Sequence, residues 1–134
     1  EFRRVLFRSG TSSANVQKSR SDSALKLACQ FHASCVLKGP ASICAHHTGS
    51  YFINTSGNPS LATAGMSDVL SGMASGFMAQ GLDGLAAIKL AVFVHGAAAD
   101  KLVDDGVGPF GMTASELTLS ARAVLNQLNL ARPL

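Results

Sequence analysis

The chain has no tryptophan, a single tyrosine and few charges: charged residues make up 14% of its 134 residues, against 47% hydrophobic ones. A chain so poor in charge is neither a disordered tail nor a polyelectrolyte. Long apolar runs are lacking too. The longest, Leu85 to Ala99, is interrupted by Lys89 and His95 and is too short to span a bilayer, so no membrane partner is expected. Cysteine is scarce and odd in number. Cys29, Cys35 and Cys44 form no C-x-x-C pair, which argues against a zinc or disulfide framework and for a reducing, cytoplasmic setting. Asn54-Thr55-Ser56 matches a glycosylation sequon, but nothing else points to secretion. No G-x-x-x-x-G-K-[ST] occurs, which excludes a Walker loop.

An excess of one charge sign is also missing from most of the chain. The formal net charge is +3, yet Arg3, Arg4 and Arg8 outweigh Glu1 within the first nine residues. Beyond them eight basic residues face seven acidic ones, which removes the electrostatic case for nucleic acid. The opening peptide EFRRVLFRS lacks an initiator Met and resembles the translation of a sequencing-library adapter. Glu1–Ser9 is therefore expected to be a non-native segment and is set aside from fold reasoning. Residues 10–134 are expected to be the C-terminal part of one longer domain.

The remainder carries enough apolar sequence for one modest core. Gly10 to Ser23 is polar and Ser-rich and reads as a loop leading into a helix, with Ala24, Leu25, Leu27, Ala28 and Phe31 at helical spacing. Ser34–Leu37 reads as a strand ended by Lys38-Gly39-Pro40. Ser42–Ala45 and Tyr51–Asn54 flank His46, His47, Thr48 and Gly49 as a hairpin. Helices are predicted over about Asp68–Gln80, Leu85–Val103 and Ser115–Leu128, the first stopped by Gly81. Strands with helices before and after them predict a layered α/β arrangement. Three strands make a small sheet for an enzyme, so further strands are expected upstream.

The segment Asn58 to Gly72, NPSLATAGMSDVLSG, carries the chemistry. Anion binding needs backbone N–H groups converging on one point, which favours Gly and small residues just before a helix. Thr63, Ala64, Gly65, Met66 and Ser67 ahead of an Asp68 helix meet that need. Asp68 has two compatible readings. It is a favoured helix cap, stabilised by the dipole, or a base that accepts the proton of a hydroxyl attacking a phosphoryl group. Lys38 ends a strand, where ligands of α/β proteins gather. His46 and His47 read as solvated turn residues, and His95 as a satisfied core histidine. Asp100, Asp104 and Asp105 read as a solvated face, since their spacing matches no metal loop.

Taken together and in order, VLKG at 36–39, GNPSLATAG at 57–65, DVLSG at 68–72, AQGL at 79–82 and HG at 95–96 form a specific pattern. It resembles the ADP/ATP-dependent NAD(P)H-hydrate dehydratases from about Gly10 to Leu128. The resemblance implies a ribokinase-like layered sandwich with a mainly parallel sheet, here an N-terminally truncated portion. It implies metabolite repair: the ring hydroxyl of NAD(P)HX, the hydrated cofactor, is phosphorylated by ADP or ATP with Mg²⁺, and loss of phosphate restores NAD(P)H. It places Lys38, Gly39, Pro40, Ala41 and Ser42 at the nucleotide. Gly57, Asn58, Thr63, Gly65, Met66 and Ser67 would line its phosphates, with Asp68 touching the hydrate and acting as base. The full-length protein is expected to be a homo-oligomer.

This chain departs from that family in two ways. Its loop usually reads Gly, Ser or Thr, Gly, Asp, whereas Gly65-Met66-Ser67-Asp68 stands here. Met66 is expected to add bulk at the phosphate, and a Cβ at Ser67 to disturb the backbone or block the approach. The family's upstream His- and Pro-containing segment, which helps to bind the hydrate, has no counterpart in these residues. A related small-alcohol kinase and a non-catalytic nucleotide-binding domain stay open as alternatives.

Overall fold

The computed structural model of the chain describes Gly10 and residues 12–130; the Glu1–Ser9 segment lies outside the described residues. The Ser-rich stretch expected to be a loop is helical. Helix α1 (Ser13–Lys18) is started by the Ser12 hydroxyl, which accepts the Asn15 N–H at 3.3 Å, and α2 (Arg20–Gln30) follows directly. Serine before a helix satisfies donors that the helix itself leaves orphaned, so a polar run can be a helix start as easily as a loop. Tertiary burial of Val16 and Ala24 decided between them.

Strands β1 (Ser34–Leu37), β2 (Ile43–His46) and β3 (Tyr51–Ile53) form one sheet in that order. Both pairings are antiparallel, with Val36 opposite Cys44 and Cys44 opposite Phe52. The mainly parallel sheet that the resemblance implies is therefore not what these strands show. Their connections, 38–42 and 47–50, are far shorter than a parallel crossover requires. Central strand β2 is buried on both faces. Ile43 and Ala45 pack with Val16, Ala24 and Ala28, whereas Cys44 faces Leu70, Ile88, Ala91 and Val92. The result is helix, sheet and helix in three layers, the α/β arrangement expected.

The second helical layer contains α3 (Met66–Ala79), α4 (Gly84–Asp104) and α5 (Ala114–Leu130). Asp83 caps α4, its carboxylate accepting the Ala86 N–H at 2.9 Å. Thr113 and Glu116 form a reciprocal capping box on α5, with Thr113 N–H to Glu116 Oε2 at 2.8 Å and Glu116 N–H to Thr113 Oγ1 at 3.4 Å. Between α3 and α4, Gly81 at φ 99° turns the chain where a side chain would be strained. Helix α4 is the spine of the layer: one part of it packs on the sheet, and Val94, Ala98, Ala99 and Leu102 meet α5 through Leu117, Ala121 and Val124. It also carries the groups that hold the loop before α3. No helix among the described residues is long and apolar enough to cross a membrane.

Candidate active site

The segment from Ser56 to Gly65 lies against α4 and is fastened to it at several points. Ser56 Oγ donates to the Phe93 carbonyl at 3.1 Å. Gly57, at φ 108°, stands where a Cβ would come within 3.3 Å of the Gly96 Cα. A Cβ on Gly96 would in turn lie 2.7 Å from the Ser56 carbonyl. Two glycines thus permit a backbone contact that any side chain would prevent. Asp100, half-buried one helical turn beyond Gly96, accepts the Gly57 N–H at 2.7 Å and the Asn58 Nδ2–H at 3.0 Å. Because a carboxylate only accepts, the Asn58 amide must turn its nitrogen toward Asp100, which leaves its oxygen for Ser60. That oxygen receives the Ser60 N–H at 3.2 Å and the Ser60 hydroxyl at 2.6 Å, and so starts a 3₁₀ turn, Pro59–Ala62.

After this turn the chain reaches α3, which begins two residues earlier than the pattern predicts. Its cap is Gly65 at φ 84°, with no side-chain bond, so Asp68 sits in the third helical position and is not the cap. Gly65 instead presents its carbonyl to the Asp68 and Val69 N–H groups, both at 3.1 Å. Among the described residues the N–H groups of Ala64, Gly65 and Ser67 have no protein acceptor, and they lie at the positive end of a 14-residue helix. The Asp68 carboxylate is exposed and makes no hydrogen bond or ion pair with a described residue.

The bulk expected of Met66 at the loop and the backbone disturbance expected of Ser67 are both corrected by the structure. Met66 is fully buried and packs with Val94, Ala98, Met112 and Leu117, so its bulk fills the core and not the loop mouth. Ser67 is an ordinary right-handed helical residue, since the non-Gly residues with positive φ are His32 and Ala41, and its Cβ imposes no backbone penalty. The Ser67 hydroxyl accepts from Lys38 Nζ at 3.1 Å, and the same ammonium donates to the Leu61 carbonyl at 3.0 Å. A lysine from the end of β1 is thereby held between the 3₁₀ turn and the first turn of α3.

His95 completes the support, and it is the satisfied core histidine expected. It is 3% exposed, and its Nε2 lies 2.8 Å from the Met66 carbonyl, to which it donates. Burial pushes its pKa below the usual histidine value and Lys38 adds to this, while the Met66 carbonyl pulls the other way. The ring is therefore neutral at pH 7, consistent with an anchor and not with a proton carrier. Two of the thiols are poor nucleophiles. Burial raises Cys35, and it pushes Cys44 up to about 11.

The structure brings Lys38, Gly57, Asn58, Thr63, Gly65, Ser67 and Asp68 to one end of α3, and Met66 lies beneath them. Gly39 to Ser42 form the neighbouring β1–β2 turn. There Ser42 Oγ donates to the Gly39 carbonyl at 3.0 Å and accepts its N–H at 3.3 Å, whereas Pro40 and Ala41 are exposed. The Arg20 guanidinium closes the back of this turn; a Cβ on Gly39 would come within 2.8 Å of it. Asp100 is the residue that sequence reasoning missed, having been grouped with Asp104 and Asp105 as solvated. The signal was available: Asp100 lies four residues after Gly96, hence on the same helix face. Among the described residues no group of three His, Cys, Asp or Glu could cage a metal ion.

Comparison with known proteins gives the family. A sequence model described as NAD(P)H-hydrate dehydratase matches residues 1–121. The bifunctional NAD(P)H-hydrate repair enzyme Nnr of Moorella thermoacetica is 41% identical over 75% of this chain and 18% of its own length. The ADP-dependent (S)-NAD(P)H-hydrate dehydratase of Neisseria meningitidis is 36% identical over 89% of this chain and 40% of its own. The crystal structure of the ADP/ATP-dependent NAD(P)H-hydrate dehydratase of Bacillus subtilis, co-crystallised with ATP and Mg²⁺, superposes with a TM-score of 0.82 at 31% identity. That superposition covers 88% of this chain and 42% of the other, so the chain spans less than half the length of these relatives. The family match spans residues 1–121 of 134, and the chain therefore belongs to the NAD(P)H-hydrate dehydratase family.

Proposed function

We infer that the protein containing this chain restores NAD(P)H from its (6S) hydrate, NAD(P)HX, at the expense of ADP or ATP. The observation that carries the reading is an exposed carboxylate, Asp68, with no partner among the described residues, one residue from the hydroxyl that Lys38 grips. Asp68 accepts the proton of the ring hydroxyl as that oxygen attacks the terminal phosphoryl group, whose bond to the leaving nucleotide breaks. The Lys38 ammonium and the free N–H groups of Gly65 and Ser67 offset the negative charge on the transferred group. Phosphate then departs with the ring C–O bond, and loss of a proton from the adjacent carbon forms the double bond. Mg²⁺ supplies charge neutralisation on the phosphates.

Within the same proposal, Lys38, Gly39, Pro40, Ala41 and Ser42 line the nucleotide, and Gly57, Asn58, Thr63, Gly65, Met66 and Ser67 form or support the phosphate loop. Met66 and Asn58 act from below, since one side chain is buried and the other is fully engaged. A cytoplasmic homo-oligomer also belongs to it, as does a non-native Glu1–Ser9, although the family match begins at residue 1. The genomic codons preceding position ten check the last point directly.

The test is an assay with hydrated NADH, ADP and Mg²⁺ on the full gene product. Recovery of reduced-nicotinamide absorbance together with phosphate release is expected, and Asp68→Asn should lower kcat by at least about a hundredfold. Turnover unchanged in Asp68→Asn would remove the base assignment. Accumulation of a stable phosphate ester of another alcohol, without repair, would favour the kinase reading.

A further inference from the structure

Helix α4 holds the site at two separate points. His95 holds the Met66 carbonyl and with it the first turn of α3, where Asp68 stands. Asp100 holds the Gly57 N–H and the Asn58 amide, at the start of the loop. From Asn58 the contacts continue through hydrogen bonds and the backbone of the turn. The Asn58 oxygen fixes Ser60, Ser60 belongs to the Pro59–Ala62 turn, the Leu61 carbonyl of that turn receives Lys38 Nζ, and Lys38 reaches Ser67.

We propose that Asp100 is a positioning residue for the nucleotide, acting through Asn58 and the 3₁₀ turn on the Lys38 ammonium. The inference rests on the function proposed above and deepens it by dividing the site: Asp100 sets the phosphate-binding loop and Lys38, and His95 sets the base. The polarity of the relay is what makes Asp100 specific. An acceptor at position 100 orients the Asn58 amide so that its oxygen faces Ser60. A donor at position 100 would invert that amide, turn NH₂ toward the Ser60 N–H, and release the turn that carries the Leu61 carbonyl. Asp100 is tied to the loop by backbone and amide donors and not by a salt bridge; Lys101, the next residue, pairs with Asp105 at 2.8 Å.

The test uses Asp100→Asn, nearly isosteric, and the exchange Asn58→Asp with Asp100→Asn in the full gene product. In the exchange, the new amide at 100 donates to the new carboxylate at 58, which still accepts from Ser60. Asp100→Asn is expected to raise the KM for ADP about tenfold or more and to lower kcat by a clearly smaller factor, because Lys38 also faces the transferred phosphoryl group whereas Asp68 is held elsewhere. The amide resonances of residues 57–63 should shift, and the exchange should return both the resonances and most of the lost affinity. Unchanged ADP affinity in Asp100→Asn would overturn the proposal. So would a fall in kcat equal to the loss of affinity, or an exchange that restores melting temperature alone. Failure of wild-type protein to bind ADP would instead defeat the function proposed above; the resonances of residues 57–63 would still report whether Asp100 sets the loop.

Discussion

At the scale of single residues, the site depends on which atoms are engaged and which are left open. His95 is neutral because burial outweighs the bond to the Met66 carbonyl. Its folded pKa lies below the unfolded value of 6.5, so the unfolded chain binds the proton more readily. Stability is then fully present above about pH 6.5 and falls as the pH drops below it, by at most about 1.4 kcal/mol per pH unit from this group. Denaturant melts from pH 7.5 to 5 should show that slope, and His95→Gln should flatten it. Met66 poses the opposite case, a side chain that looks like part of the loop and belongs to the core. Met66→Ala should cost about 2–5 kcal/mol in chemical denaturation, through a cavity among Val94, Ala98 and Met112.

Elements meet here through close backbone approach more than through side-chain contact. The Ser56–Gly57 segment touches α4 only because Gly96 has no Cβ. A methyl group there would lie 2.7 Å from both the carbonyl carbon and oxygen of Ser56. Those are backbone atoms of a segment held by Asp100 and the Phe93 carbonyl, so they cannot yield as a flexible side chain could. Gly96→Ala should therefore destabilise the protein by about 1–3 kcal/mol despite its better helix propensity, and calorimetry would read this as a lower melting temperature. The HG pair at 95–96 thus records two adjacent contacts: a donor for the start of α3 and a gap for the incoming loop. Its place in the sequence pattern was legible, but the reason for it was not, because both partners lie about thirty or more residues away.

At the scale of the whole molecule, the sheet is the least finished part. Tyr51, Phe52 and Ile53 of β3 are 44%, 40% and 55% exposed, and β1 and β3 each have one free edge among the described residues. Lys89 lies 3.7 Å over the Phe52 ring and covers only part of this surface. Unpaired strand edges with apolar side chains invite pairing. The 134-residue chain produced alone is expected to self-associate in light-scattering measurements across micromolar concentrations. Ile53→Lys should reduce that association, since a charge on an edge strand opposes edge-to-edge contact.

Local pattern determined more of this protein than its length suggests. Three long helices and three strands follow from apolar spacing and from Gly, Pro and Asp signals, each read to within a few residues. The loop at Asn58–Ser67 announced itself by small residues ahead of a helix. Those properties depend on neighbours along the chain, so the chain alone displays them. Contacts across sequence decided the rest. Burial of Val16 and Ala24 turned a serine-rich run into helices, and the core took in Met66. Helix α3 began at Met66, capped by Gly65, and not at Asp68, which left that acid without a capping role. Asp100 turned inward only because α4 passes beneath the loop. A residue's partner can be 42 positions away, as Asn58 is from Asp100, and no local period encodes it.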